Sequence, residues 1–583
     1  MILQALYDYY QRRNAHPDPA RRLPAFGLEE KEIPFIVELT ADGRPLGIVD
    51  TRQGEGKKKV ARRYLVPKGV KRSSGVAANL LCDTTEYVLG VDTRDRAGRV
   101  AEQHAAFLHR LADLPATSQE DIGLQAVHRF YAEHGPLSLH ADPAWPEIVT
   151  GNPVLTFRLQ DDDDLVCQRP AIVAGCQNDT SSEEADGQTA CCLVTGQRAS
   201  AERLHTAIKG VWGAQSSGAT LVSFNLDAFA SLNKAQGDNA PVSPLAAFAY
   251  TTALNHLLER DSRQRFQVGD ASTVFWAQQD DAEAESAFAA VFADHDPGNR
   301  TVMVRGLLNA VYSGQFDGGR GKNRFYVLGL APNAARIAIR FWHAAPLHEI
   351  AQYVRQWFDD LNIVRSPRDP EYPSLFRLLA ACAQQGKSDN IPPNLGGEIM
   401  RAILSGRPFP ASWLNAAVQR CRAEQNVSYL RAAAIKACLR RAQRFSQSSI
   451  AQEFAPMLDP TQNSPAYRLG RLFATLEKIQ EEASPGLNAT IRERYYGAAS
   501  STPVAVFTTL LRLKNHHLAK MSNRGRVVNF ERLLGEIFDG LHDFPKHLSL
   551  PEQGCFALGY YHQRQDFFSK SAAIDETTPG EPK

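Results

Sequence analysis

The 583-residue sequence has no apolar run long enough to cross a bilayer, which argues against a membrane-spanning chain. Its first ten residues, Met1 to Tyr10, are amphipathic and lack the charged start and apolar centre of a secretory signal. The expected location is therefore cytoplasmic. Cysteine is sparse. Nine residues, an odd number scattered along a long chain, fit a reducing compartment rather than a disulfide framework. Neither sign of charge is in excess, and a formal net charge of +1 excludes attraction to polyanions by composition alone. No nucleophile elbow, Ser/His/Asp or Cys/His signature is present.

Against that neutral background one segment stands out. Lys57, Lys58, Lys59, Arg62, Arg63, Lys68, Lys71 and Arg72 fall within sixteen positions, and no acid occurs from Gly56 through Cys82. A cationic run beside Pro67, Gly69 and Gly75 suits a phosphate backbone, because each contact releases condensed counterions. A solvated basic loop or a protein-binding patch is the other reading of such a cluster. The stretch Lys209 to Ala219 is the second signal. Three glycines permit close approach of the main chain, and Gln215, Ser216 and Ser217 offer hydrogen-bonding groups for phosphate or a base edge. The same glycines also suit a plain turn between an expected helix, Ser200 to Ile208, and an expected strand, Thr220 to Phe224.

Other candidate motifs fail on spacing. The loop from Gly314 to Asn323 has Phe316 where a phosphate-binding loop needs glycine, and Asn323 where it needs Ser or Thr. Its Lys322 and Arg324 remain cations that can hold a nucleic-acid backbone. The pairs His295-Asp296 and His542-Asp543 lack further spaced ligands for a metal nuclease. Cys167, Cys176, Cys191 and Cys192 lack paired Cys-x-x-Cys knuckles and read as free thiols. The Asp161 to Asp164 run reads as a hairpin tip. Two helical tracts are basic: Arg431 to Arg444, with Lys436, Arg440 and Arg444 four apart on one face, and Arg512 to Arg526.

The patterning predicts an α+β fold, with a mixed N-terminal region carrying antiparallel sheets and a C-terminal helical bundle. Ile33, Phe35, Val37 and Leu39 alternate as a strand, as do Leu155, Phe157 and Leu159. Pro332-Asn333 reads as the turn of a hairpin, and Ser243-Pro244 as the start of a helix towards Leu258. Beyond Pro370 the period becomes helical: Leu469, Leu472, Phe473, Leu476 and Ile479, then Leu533, Leu534, Ile537, Phe538 and Leu541. The expected divisions are 1–365 (mixed), 366–456 (helical connector), 457–570 (helical bundle) and 571–583 (disordered tail).

Several blocks carry a family likeness: Cys192-Leu193-Val194-Thr195-Gly196, Lys209 to Ala219, Asn239 to Asn255 and Arg320 to Leu330. It continues through Tyr467 to Phe473, Arg494 to Ser500 and Gln553 to His562. Together they resemble the large subunit of the type I-C CRISPR Cascade surveillance complex. The resemblance implies a non-catalytic subunit without cofactor or metal. Its partners would be a guide RNA, target double-stranded DNA, backbone and guide-end subunits, and a recruited helicase-nuclease. It also implies reading of a short adjacent motif and help in strand opening. The C-terminal helices resemble the small subunit of that complex, and a start at Met457 would release about 127 residues as a separate product. Lys71, Arg72, Ser73, Ser74, Asn79, Gln215, Ser216 and Ser217 are the expected motif readers. Lys57, Lys58, Lys59, Arg62, Arg63, Lys322 and Arg324 are the expected backbone contacts.

Overall fold

The computed structural model describes the chain except for residues 55–58, 71–74, 95, 183–188, 293–296, 313–318, 447–452 and 576–583. The fold is mixed α+β, in two compact units. One comprises residues 1–206 with 222–254, the other 207–221 with 255–583.

In the first unit the strands are β1 (Leu28–Glu32), β2 (Phe35–Leu39), β3 (Pro45–Asp50), β4 (Arg63–Pro67), β5 (Asp83–Thr84), β6 (Val154–Leu159), β7 (Ala190–Cys191) and β8 (Arg198–Ala199). A four-stranded sheet runs β3-β2-β6-β5, while β1 pairs with β4 and β7 with β8. The expected alternation over Ile33 to Leu39 holds only in part: Phe35, Ile36 and Val37 are all buried. Consecutive buried residues point to opposite faces, so both faces of β2 are covered and the pattern becomes a continuous apolar run. Its parallel register sets Phe35, Val37 and Leu39 beside Leu155, Phe157 and Leu159. That layer packs with Phe107 and Leu111, from the Ala97–Ala112 helix, and with Phe130 and Trp145. The Pro244–Leu257 helix starts as expected, the Ser243 hydroxyl accepting from the Ala246 amide at 3.3 Å.

The second unit opens its sheet with β9 (Arg265–Val268), β10 (Ala271–Ala277), β11 (Arg324–Asn333) and β12 (Arg336–Pro346), an antiparallel sheet in the order β12-β11-β10-β9. The hairpin between β11 and β12 is present, but its turn is Ala334-Ala335 rather than Pro332-Asn333. Pro332 is tolerated inside the strand because β10 pairs with β11 only as far as Leu330, so no ladder donor is needed there.

After Pro346 every element among the described residues is helical, and the helices pack together. Leu469, Leu472, Phe473, Leu476 and Ile479 all lie buried in the Pro465–Ala483 helix. One apolar core runs from Phe275 and Phe325 on the sheet through Trp357, Trp413 and Ile435 to Phe473 and Phe556. The change of element type falls at Pro346, inside one packed unit. The final helix runs from Leu550 to Asp575, five residues into the segment expected to be disordered, since Ser571-Ala572-Ala573-Ile574 holds no helix breaker. No described helix is long and apolar enough to cross a membrane.

Candidate nucleic-acid interface

The described part of the basic segment begins at an isolated backbone bridge. The Gln53 and Val60 backbones exchange hydrogen bonds at 2.9 Å in both directions, closing the tip that contains Lys59. Lys57, Lys58, Lys71, Arg72, Ser73 and Ser74 lie outside the described residues. Arg52 is locked beside this bridge. It donates to both Asp50 oxygens at 2.8 Å, binds Glu147, and sits 4.5 Å over the Phe35 ring. These bonds hold the Asp50 carboxyl at about 2. β4 then pairs with the acidic strand β1, setting Arg63 opposite Glu32, 3.7 Å apart, while Lys59 is 3.7 Å from Asp50. Exposed pairs of this length contribute little to stability. Arg62 is exposed over the Tyr64 ring and has no ion pair among the described residues.

Two neighbours in this segment serve the fold instead. Lys68 is half-buried, 5.2 Å from the Phe248 ring centre, and desolvation lowers its pKa against the pull of Glu202 and Glu29. Asn79 was expected at a base edge, yet it is only 8% exposed. Its side-chain oxygen accepts from the Val70 amide at 2.9 Å, and its own amide donates to Asp83 at 2.8 Å. Asn79 therefore anchors the chain on either side of residues 71–74.

The second candidate loop differs from its expected frame. No helix covers Ser200 to Ile208 and no strand covers Thr220 to Phe224; the loop is closed by an isolated antiparallel bridge between Ile208 and Ala219. Tertiary ties win over local propensity here: the Glu202 amide donates to Val242, and the buried His205 ring bonds Tyr250. Inside the bridge two tight turns follow one another, Ala214 donating to Val211 at 3.1 Å and Gly218 to Gln215 at 2.9 Å. Gly210 (φ +83°) has no alternative, since a Cβ would lie 2.6 Å from the Leu258 carbonyl oxygen. The loop is pinned from below. The Lys209 amide donates to Asn255 at 2.7 Å, the Trp212 amide donates to the Ser272 hydroxyl at 2.9 Å, and Val211 is buried. Gln215, Ser216 and Ser217 are all exposed at its tip, with Lys209 exposed at its start. Trp212, which the sequence reading passed over, is 64% exposed in the same loop. The available signal was a tryptophan between Gly210 and Gly213 in a stretch free of acids.

Lys322 and Arg324 are exposed at the start of β11 and form no ion pair among the described residues. They do not join the Gln215 loop. Gly213 lies against Pro332, at the other end of β11, so the two features are about 27 Å apart along the strand. That length equals roughly eight base pairs of duplex.

The first basic helical tract is not a nucleic-acid face. Arg431, Lys436 and Arg441 are buried in the Tyr429–Phe445 helix. Arg431 binds Glu424, Arg440 binds Glu453, and Arg441 and Arg444 share Asp360. Lys436 donates to the Asp360 carbonyl at 3.1 Å, and burial pulls it down to about 7. The second tract is mostly surface. Arg512, Lys520 and Arg524 are exposed, whereas Arg526 forms a two-pronged pair with Glu482 at 2.7 and 2.9 Å.

Nothing described gathers metal ligands: no group of three or more His, Cys, Asp or Glu with metal-binding placement occurs among the described residues. His542 is exposed, Asp543 accepts from the Phe544 amide at 2.6 Å, and His295-Asp296 lies outside the described residues. Cys167, Cys176 and Cys192 are buried and Cys191 is exposed, all four outside any disulfide. No curated protein matches the chain. The family model described as CRISPR-associated protein (Cas_Csd1) matches residues 6–568, and with nearly its whole length covered the chain belongs to that family, the large subunit of the type I-C Cascade complex.

Proposed function

We propose that this subunit reads a short motif on duplex DNA beside the target and promotes strand opening, while guide-RNA pairing supplies most of the sequence specificity. Family membership over residues 6–568 carries the reading. The exposed, acid-free Gln215–Ser217 tip on a pinned loop offers the surface it needs. In this reading Lys71, Arg72, Ser73 and Ser74 form the other motif-reading element, and Asn79 positions them through Val70. Lys57, Lys58, Lys59, Arg62 and Arg63 hold duplex phosphates, and Lys322 and Arg324 hold a more distant stretch. The subunit performs no chemistry: a recruited helicase-nuclease cuts, and backbone and guide-end subunits complete a cytoplasmic complex.

Binding of duplexes with a randomised flank by the assembled, guide-containing complex tests this. Lys71→Ala and Gln215→Ala are expected to flatten motif preference, by roughly 5- to 150-fold per lost base contact. Arg62→Ala is expected to weaken all flanks alike and reduce the salt slope by about 0.9. Binding by the wild-type complex that ignores the flank overturns the reading.

Met457 serves as an internal start for a separate small subunit in the same proposal. It is 63% exposed ahead of the Pro465–Ala483 helix, so Met457→Leu leaves the core untouched. Loss of the product of about 127 residues in that variant, read by immunoblot of the C-terminus, is the expected result; an unchanged product removes the start. Such a product would bare the side that Gly554 presents to Leu414, Ile435 and Leu439, and so would need a neighbouring subunit to cover it.

A further inference from the structure

Tryptophan carries one of the largest apolar surfaces of any side chain, and Trp212 leaves most of its own in water. Its backbone is fixed: the amide donates to Ser272, Val211 before it is buried, and Gly213 after it lies against Pro332 at φ +78°. The indole therefore stands out from a rigid base and has little ordering entropy to lose when it meets a partner. It occupies the first of the two turns whose second presents Gln215, Ser216 and Ser217. No acid occurs from Arg203 through Leu226, and the only charge inside the loop is Lys209. A surface of one aromatic plane, amide and hydroxyl groups and a lone cation matches the edge, face and phosphate of a nucleotide.

We propose that Trp212 is a stacking platform for an unpaired nucleobase at the point where the duplex first opens beside the motif. This rests on the nucleic-acid reading above and deepens it. Gln215 addresses the paired motif, and Trp212 captures the neighbouring base once it leaves the helix. Any base presents a π face, so this contact stabilises the opened state without adding sequence preference.

A cycle that changes protein and DNA separately tests the contact. The assembled complex is titrated with motif-bearing duplexes holding either a normal nucleotide or an abasic site at the first target position, in each strand in turn. Trp212→Ala is expected to bind the normal duplex about tenfold more weakly, Trp212→Phe to retain most affinity, and neither to change binding once the relevant base is abasic. Equal losses on normal and abasic duplexes, or none on either, overturn the stacking role while leaving motif reading intact. A Trp212→Ala chain that folds but fails to join the complex also overturns it, making the indole a protein contact. A wild-type complex that ignores the motif on every duplex overturns the underlying reading together with it.

Discussion

Asp360→Asn is expected to destabilise the larger unit by about 3–5 kcal/mol, a large share of the stability of an ordinary domain. Asp360 and Arg441 are both 0% exposed, with the guanidinium Nε 2.7 Å from the carboxylate. Arg444 reaches the other oxygen, and Lys436 holds the Asp360 carbonyl. Arg441 also donates to the Ala402 and Arg407 carbonyls at 3.2 and 3.1 Å and lies 4.7 Å from the Phe409 ring centre. Burial lowers the Arg441 pKa to about 10, which still leaves it charged at neutral pH. Asparagine keeps the shape and an acceptor but removes the negative charge, stranding a cation where water cannot follow. Urea unfolding should show a lower midpoint at an unchanged slope. Asp360→Asn with Arg441→Met should recover most of the loss, because the cost lies in the orphaned charge rather than in the missing bond. A loss below about 1 kcal/mol in the single variant would mean that the site admits water and that the pair is not a buried one.

That ion cluster also shows where sequence reading stopped. Lys436, Arg440 and Arg444 do stand on one helical face, as their spacing requires, but spacing cannot tell a face that meets water from one that meets a carboxylate. The partner Asp360 lies 81 residues from Arg441, in another helix, and carries no local mark of its role. The bond from the Val70 amide to Asn79 is equally without a local mark, because it closes across a loop. Features set by neighbours in the chain were legible. Ser243 and Pro244 start their helix, Leu469 to Ile479 fill the inner face of theirs, and β11 and β12 form their hairpin, displaced by two residues at the turn. The Lys209 to Ala219 loop was legible as a loop and not in its frame. Its walls are a single bridge and ties to Asn255 and Ser272, none of which has a periodic signature.

Gly470→Ala should destabilise the C-terminal bundle although alanine is the better helix former. Propensity alone favours alanine by about 1 kcal/mol in a helix interior. Packing reverses the sign. A Cβ at Gly470 would stand 2.0 Å from the Phe556 carbonyl oxygen and 2.7 Å from the Tyr560 amide nitrogen, and a Cβ at Gly559 would stand 2.0 Å from the Tyr467 carbonyl oxygen. The Pro465–Ala483 and Leu550–Asp575 helices therefore meet backbone to backbone, each through its own glycine. Neither obstacle is a flexible side chain that can turn aside, so the axes must separate. Separation would stretch the Tyr467 hydroxyl to His562 bond (2.9 Å), Arg471 to Gln563 (3.1 Å) and Tyr560 to Glu477 (2.7 Å). It would also loosen Phe473 from Phe556 and Tyr560. Overpacking alone costs about 1–3 kcal/mol, and with buried polar bonds strained beside it the expected loss lies at or above the upper end. Gly535→Ala supplies the contrast: that glycine is in the Arg524–Phe538 helix with nothing within 4 Å of its added carbon, and alanine there should stabilise by about 0.5–1 kcal/mol. Opposite signs for the two variants in one unfolding assay establish the close crossing. A stabilising Gly470→Ala would show that the two helices sit further apart than their glycines allow, leaving propensity to decide the outcome.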